Sequence, residues 1–293
     1  METNSETILK DVAVVAVCDR SGSLLGETVG SLQADVFVVG RGLSALVVRS
    51  GMTVVDVGDG APMSAAVKHI ISECGKRVII IVREGVLFCS GSLSSIVDAV
   101  GANPKAVVTP PCHLSRRSSE GTFFGSSFTT KRDGKNRFFD VFDLGPSASL
   151  NPSRKVQGVF PGCYAFSKEW FSLVEPWEGL YGSPAMALAF SVATWLHGGS
   201  CVVSEEPVRS SAWSSFEMSP EGWRDYLDKI RIAFAMTQPT VAGRIIMDLP
   251  ECEDKKTAMM EMRSAMKDIL AEKRKFEVAV SEKPDFMSFG VET

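Results

Sequence analysis

Histidine is scarce, with three among 293 residues, and that scarcity excludes most imidazole chemistry. His69 falls on a helix predicted over Ser64–Glu73. His197 stands just ahead of Gly198-Gly199, where a helix C-terminus favours a cationic cap. Both read as structural. His113, in Pro110-Pro111-Cys112-His113, sits in a Pro-broken loop at a strand end, but no nucleophile pairs with it. The adjacent Cys112 points the other way in extended chain, so a Cys-His hydrolase has little support. Cysteine supplies no framework either: the seven are odd in number, scattered and free of any Cys-x-x-Cys pair, which argues against disulfides and zinc. They read as small core residues. No apolar run reaches the roughly 18 residues of a membrane span. The opening METNSETILKD is polar and acidic rather than basic-then-apolar. The expectation is a cytoplasmic protein without membrane contact. No internal repeat is evident, and a net charge of −4 argues against strong non-specific nucleic-acid binding.

What is present is a core. Hydrophobic residues make up 45% of the chain, and short β-rich runs alternate with helical ones through the first hundred positions. Val12–Val17 (VAVVAV) is continuously apolar, as a strand covered on both faces requires. A helix over Ser21–Leu32, strands over Val36–Val39 and Thr53–Val57, the Ser64–Glu73 helix and a strand over Val78–Val82 (VIIIV) follow. The order is that of a Rossmann-like, mostly parallel sheet flanked by helices, whose ligands lie beyond the carboxyl ends of the strands. Those ends read Cys18-Asp19-Arg20, Gly40-Arg41, Gly58-Asp59-Gly60 and Arg83-Glu84-Gly85.

A second signal is the run from Val159 to Val203. Phe160-Pro161-Gly162-Cys163-Tyr164-Ala165-Phe166 reads as a strand, and Ser167-Lys168-Glu169-Trp170-Phe171 as a short helix. After Trp177-Glu178-Gly179 comes a second helix over Ala187–His197, stopped by Gly198-Gly199. This layout resembles the catalytic half of the GT-A glycosyltransferases, the polypeptide N-acetylgalactosaminyltransferases and the inverting family 2 enzymes among them. The resemblance spans roughly residues 12 to 210 by order of elements and is most specific from Gly162 to Gly199.

The resemblance implies a nucleoside diphosphate sugar as donor. By position it assigns Asp19 and Arg20 to the base, and Arg41, Asp59 and Glu84 to the rest of the nucleotide sugar. Phe160, Gly162, Cys163 and Trp177 would carry the acceptor. The family's acidic chemistry is largely replaced. Gly40-Arg41 stands for the ribose-contacting acid pair, and Arg83-Glu84-Gly85 for the Asp-x-Asp or Asp-x-His metal motif. One carboxylate beside an arginine is a poor cation site, so a divalent metal is doubtful and Arg83 or Arg41 would meet the leaving diphosphate directly. The helix acid falls at Met186-Ala187, leaving Glu178 as a displaced base, and the downstream histidine would fall near Ser210-Ser211. The competing reading makes these arginines and Glu178 ordinary loop charges.

Residues 116–137 carry six basic residues (Arg116, Arg117, Lys131, Arg132, Lys135, Arg137) against two acids (Glu120, Asp133). A loop or hairpin turning at Asp133-Gly134 is expected, suited to a diphosphate or a nucleic-acid acceptor, or simply solvated. Beyond Arg209 the chain reads as helical, over Glu221–Met236 and Asp254–Phe276, with a seam available for a homodimer or hetero-complex. The expected organisation is a glycosyltransferase-like domain over 1–210 (nucleotide half 12–110, acceptor half 111–210) and a helical extension over 211–293. Two functions follow: a glycosyltransferase acting on a soluble acceptor, modified phage or viral DNA bases being one such class, or a catalytically inactive scaffold of the same fold.

Overall fold

The computed structural model describes residues 10–18, 25–30, 32, 34–43, 52–58, 61–116, 119–126, 129–133, 136–140, 154–176, 179–210, 223–224, 226–229, 232, 252–264, 267, 270–271 and 274. Alternating burial builds its centre. Every residue of β1 (Val12–Cys18) is buried. Ala13, Val15 and Val17 face one hydrophobic cluster, while Val12, Val14, Ala16 and Cys18 face the other. β4 (Val78–Arg83) divides its isoleucines likewise, Ile79 and Ile81 to one side and Ile80 to the other. A strand apolar at every position is thus buried on both sides of one sheet.

That sheet has eight strands among the described residues. β1 pairs in parallel with β4 and with β2 (Asp35–Gly40), and β2 with the edge strand β3 (Met52–Asp56). On the other side of β4 lies β12 (Cys163–Ser167), antiparallel both to β4 and to β6 (Ala106–Thr109). β13 (Ser200–Val203) then pairs in parallel with β6, and β11 (Lys155–Val156) closes that edge. A smaller sheet orders β5 (Val86–Phe88), β14 (Val208–Ser210), β7 (Cys112–Arg116) and β8 (Ser119–Phe123). β9 (Thr129–Asp133) and β10 (Asn136–Asp140) form a hairpin within the basic segment, with Asp133 opposite Asn136.

Six helices with fixed bounds accompany these strands among the described residues: α1 (Leu25–Val29), α2 (Met63–Glu73), α3 (Ser92–Ala102), α4 (Lys168–Val174), α5 (Ser183–Leu196) and α6 (Glu253–Ser264). None is long and apolar enough to cross a membrane. Among the boundaries that differ from expectation, two have a visible cause. β12 begins at Cys163 rather than Phe160, because Pro161-Gly162 turn the chain and the Cys163 N–H donates back to the Phe160 carbonyl at 3.1 Å. α5 begins at Ser183 rather than Ala187, because Pro184 lies in the first turn, where a missing N–H costs nothing. Its end is as read, with His197 at the C-cap and its Nδ1 2.8 Å from the Ala193 carbonyl.

Candidate functional site

The strand register lines up one edge. Cys18, Gly40 and Asp56 end three adjacent parallel strands, and Arg83 ends the fourth, opposite Val17. Gly40 passes so close to β1 that a Cβ there would lie 2.6 Å from the Cys18 carbonyl oxygen. Asp56 does not face outward for a ligand alone, since its Oδ1 accepts from the Gly42 N–H at 3.1 Å and holds the turn after β2. Arg41, in that turn, is half-buried. Its Nη2 donates to the carbonyls of Ala61 at 2.8 Å and Tyr181 at 3.3 Å. Asp19, Arg20 and Asp59 lie outside the described residues, as do Trp177 and Glu178.

The turn after β4 is bound on three sides. Arg83 N donates to the Gly162 carbonyl at 2.8 Å, Glu84 N to the Val17 carbonyl at 3.1 Å, and Gly85 N to the buried Thr28 Oγ1 at 2.9 Å. Arg83 and Gly162 therefore meet through backbone at this edge. Glu84 is nearly buried, 7% exposed. With Asp56 it makes two carboxylates on different strand ends, fewer than the several oxygens a divalent cation takes, and no group of three or more His, Cys, Asp or Glu side chains converges among the described residues.

The residues expected to floor an acceptor are placed differently from one another. Phe160 and Cys163 have no exposure and belong to the core below the sheet. Burial raises the Cys163 thiol far above its ordinary range, with a smaller contribution from Cys112. Thr109 Oγ1 joins them, accepting from Phe160 N and donating to the Cys163 carbonyl, both at 3.0 Å. Gly162 fills the space between: a Cβ there would stand 2.3 Å from the Phe160 ring. Phe160 and Cys163 are therefore the buried support of the Pro161-Gly162 turn.

Opposite this turn runs a strap leading into α5. Ser64 Oγ accepts from Leu180 N at 3.0 Å, and Ser64 N donates to the Leu180 carbonyl at 3.1 Å. Tyr181 N donates to Asp228 Oδ2 at 2.7 Å while its carbonyl accepts from Arg41. Beneath the strap lies an apolar cavity of about 40 Å3, walled by Ile81, Tyr164, Phe166, Phe171, Leu180 and Met186 among others. Sequence reading missed Ser64, Thr109 and Asp228. The first two resemble any other hydroxyl in the chain. Asp228 had a signal, an acid directly after the buried Tyr226 and Leu227 of an amphipathic helix.

Sequence comparison finds no matching protein family and no matching curated protein. Structural comparison does find a likeness. A crystal structure of GalNAc-T7 with UDP, GalNAc and Mn2+ superposes on 78% of this chain with a TM-score of 0.53 at 12% identity. The fold is the GT-A glycosyltransferase fold. This chain spans about half the length of that structure, matching 49% of it. The GT-A chain shares its arrangement of elements with that neighbour, and at such low identity the likeness carries the architecture alone.

Proposed function

We propose that this chain is a glycosyltransferase that uses a nucleoside diphosphate sugar and needs no divalent metal for leaving-group stabilisation. The observation that carries the reading is the GT-A fold with Arg83 at the end of β4 and Arg41 just past the end of β2, on either side of β1 at one edge of the sheet. Asp19 and Arg20 follow β1 in sequence and are assigned to the nucleobase, with Asp59 and Glu84 beside the ribose and diphosphate. In the transfer, the bond from the anomeric carbon to the diphosphate oxygen breaks and a bond from an acceptor oxygen forms. Arg83 takes the growing negative charge of the leaving diphosphate, since a guanidinium stays charged and pairs well with phosphate oxygens. Glu178 accepts the acceptor's proton, and Trp177 and the Pro161-Gly162 backbone border the acceptor. The acceptor is soluble, and the basic β9–β10 hairpin suits a polyanionic one such as a modified DNA base in its strand.

One observation favours the inactive-scaffold reading. Arg41 Nη2 already donates to two carbonyls, and of the two carboxylates at the described edge Asp56 accepts from the Gly42 N–H while Glu84 is nearly buried. Calorimetry with a panel of nucleoside diphosphates and their sugars, with and without Mn2+, decides between the two. The transferase reading expects micromolar binding that ignores the metal and weakens at least about tenfold in Arg83→Ala, roughly 1.4 kcal/mol. Binding of no nucleotide sugar, or binding unchanged in both Arg83→Ala and Arg41→Ala, overturns the placement.

A further inference from the structure

Helix α1 buries one face, made of Leu25, Thr28 and Val29, at spacings of three and four residues. Leu25 and Val29 join the hydrophobic cluster that also holds Cys18, Val82 and Val86. Thr28 is the polar member of that face, and it is wholly buried. A valine would match its shape, and a buried hydroxyl costs stability unless it is hydrogen-bonded. Thr28 Oγ1 accepts from the Gly85 N–H at 2.9 Å, across 57 positions of sequence. Glu84 and Gly85 form the whole connection between β4 of the large sheet and β5 of the small one. Gly85 has a φ of 82°, in the left-handed region that favours glycine, and it is buried, as are Glu84 and Val86. Arg83, at the head of the turn, is half-buried.

The consecutive N–H groups of Arg83, Glu84 and Gly85 are all taken, the first two by the backbone carbonyls of Gly162 and Val17 and the third by Thr28. A buried N–H left without an acceptor is costly, so these bonds fix the turn. They also leave side chains, rather than backbone amides, to meet a phosphate there. Two of the three anchors are main-chain carbonyls, which no substitution removes. Thr28 alone is written in a side chain. We infer that Thr28 is a positioning residue of the proposed transferase site: its hydroxyl fixes Gly85, and with it the place from which the Arg83 guanidinium meets the leaving diphosphate. The inference rests on the transferase reading for the role of Arg83 and on the hydrogen bonds above for the anchor itself. Thr28 has no exposed surface with which to touch donor or acceptor. Losing its hydroxyl frees the chain two residues beyond Arg83, and a misplacement of about 1 Å at a reacting group costs on the order of 100-fold in rate.

The full-length protein tests this with Thr28→Val, which removes the hydroxyl and keeps the shape, and Thr28→Ser, which keeps the hydroxyl. Amide exchange at Gly85 followed by NMR reads the anchor, calorimetry with the nucleotide sugar reads donor binding, and transfer or donor hydrolysis reads the rate. In Thr28→Val the Gly85 amide should exchange at least about tenfold faster. Its kcat should fall about 10- to 100-fold and its donor Kd weaken less than in Arg83→Ala, with most of the loss recovered in Thr28→Ser. The deciding variant is the double one. Because Thr28 acts through Arg83, adding Thr28→Val to Arg83→Ala should lower kcat by no more than about twofold further. Equal losses with and without Arg83 overturn the positioning role, and so does an unchanged kcat in Thr28→Val alongside faster Gly85 exchange. Unchanged exchange overturns the anchor. If Thr28→Val does not fold, Thr28→Ala, which leaves space at the Gly85 N–H, takes its place in the same cycle, and if neither folds Thr28 is a structural residue and the inference falls. A parent protein that binds no nucleotide sugar removes the transferase reading and the positioning role together, while Gly85 exchange still reports the anchor on its own.

Discussion

Cysteine is where single residues in this chain depart furthest from solution behaviour. Cys18, Cys112, Cys163 and Cys201 are buried, whereas Cys74, Cys89 and Cys252 are half-buried. Burial pushes the thiols of Cys112 and Cys163 well above their ordinary range and that of Cys201 up to about 12. The native protein should therefore give at most three fast thiols with a thiolate-selective reagent and seven after unfolding. More than three in the native state would show that the core opens. The same shifts set a pH dependence. These groups stay protonated when folded but ionise near 9.0 when unfolded, so their stabilisation is complete below pH 9 and declines as pH rises toward 12. Denaturant melts at pH 8 and 10.5 should show the loss, and Cys163→Ala should lessen it.

Among elements, those with two-sided apolar sequence were legible and those defined by remote partners were not. VAVVAV and VIIIV admit one reading, and β1 and β4 lie where that reading puts them. Ser167 closes α4 as an N-cap, accepting from Trp170 N at 3.1 Å, where the sequence already placed a helix start. The alignment of the strand ends at Cys18, Gly40, Asp56 and Arg83 follows from the same pattern. What Arg41 does could not be read: its partners are backbone carbonyls, which carry no residue identity, 20 and 140 positions away. Nor could the burial of Phe160 and Cys163 be foreseen, since a strand interrupted by Pro161-Gly162 can present either face. That interruption makes its own prediction. Gly162→Ala forces a Cβ into the Phe160 ring, and overpacking of this kind costs about 1–3 kcal/mol. The melting temperature should fall by several degrees, and a variant as stable as the parent would mean the turn can yield.

At the scale of the whole molecule, described residues beyond Ser210 take part in the packing. Trp223, Tyr226, Leu227 and Ile232 are buried in the same cluster as β4, β12 and α5. Full burial of such side chains is worth about 1.5–3 kcal/mol each, so the four together approach the 5–15 kcal/mol that stabilises an ordinary domain. A chain ended at residue 210 should therefore be insoluble or melt far below the parent. Equal melting temperatures would instead support an independent domain over 1–210. One feature of the sheet bears on how freely its edge can vary. β12 runs against its neighbours, so the chain enters it at the edge where the parallel strands leave. The Pro161-Gly162 turn precedes the strand, and the strand itself leads away toward α4. The stretch just ahead of Phe160 is tied to α5, with Val159 N donating to Ser191 Oγ at 3.1 Å and Trp195 Nε1 to the Gln157 carbonyl at 2.8 Å, so a change of sequence at this entrance is felt in the helix, and variation there is coupled to selection on stability.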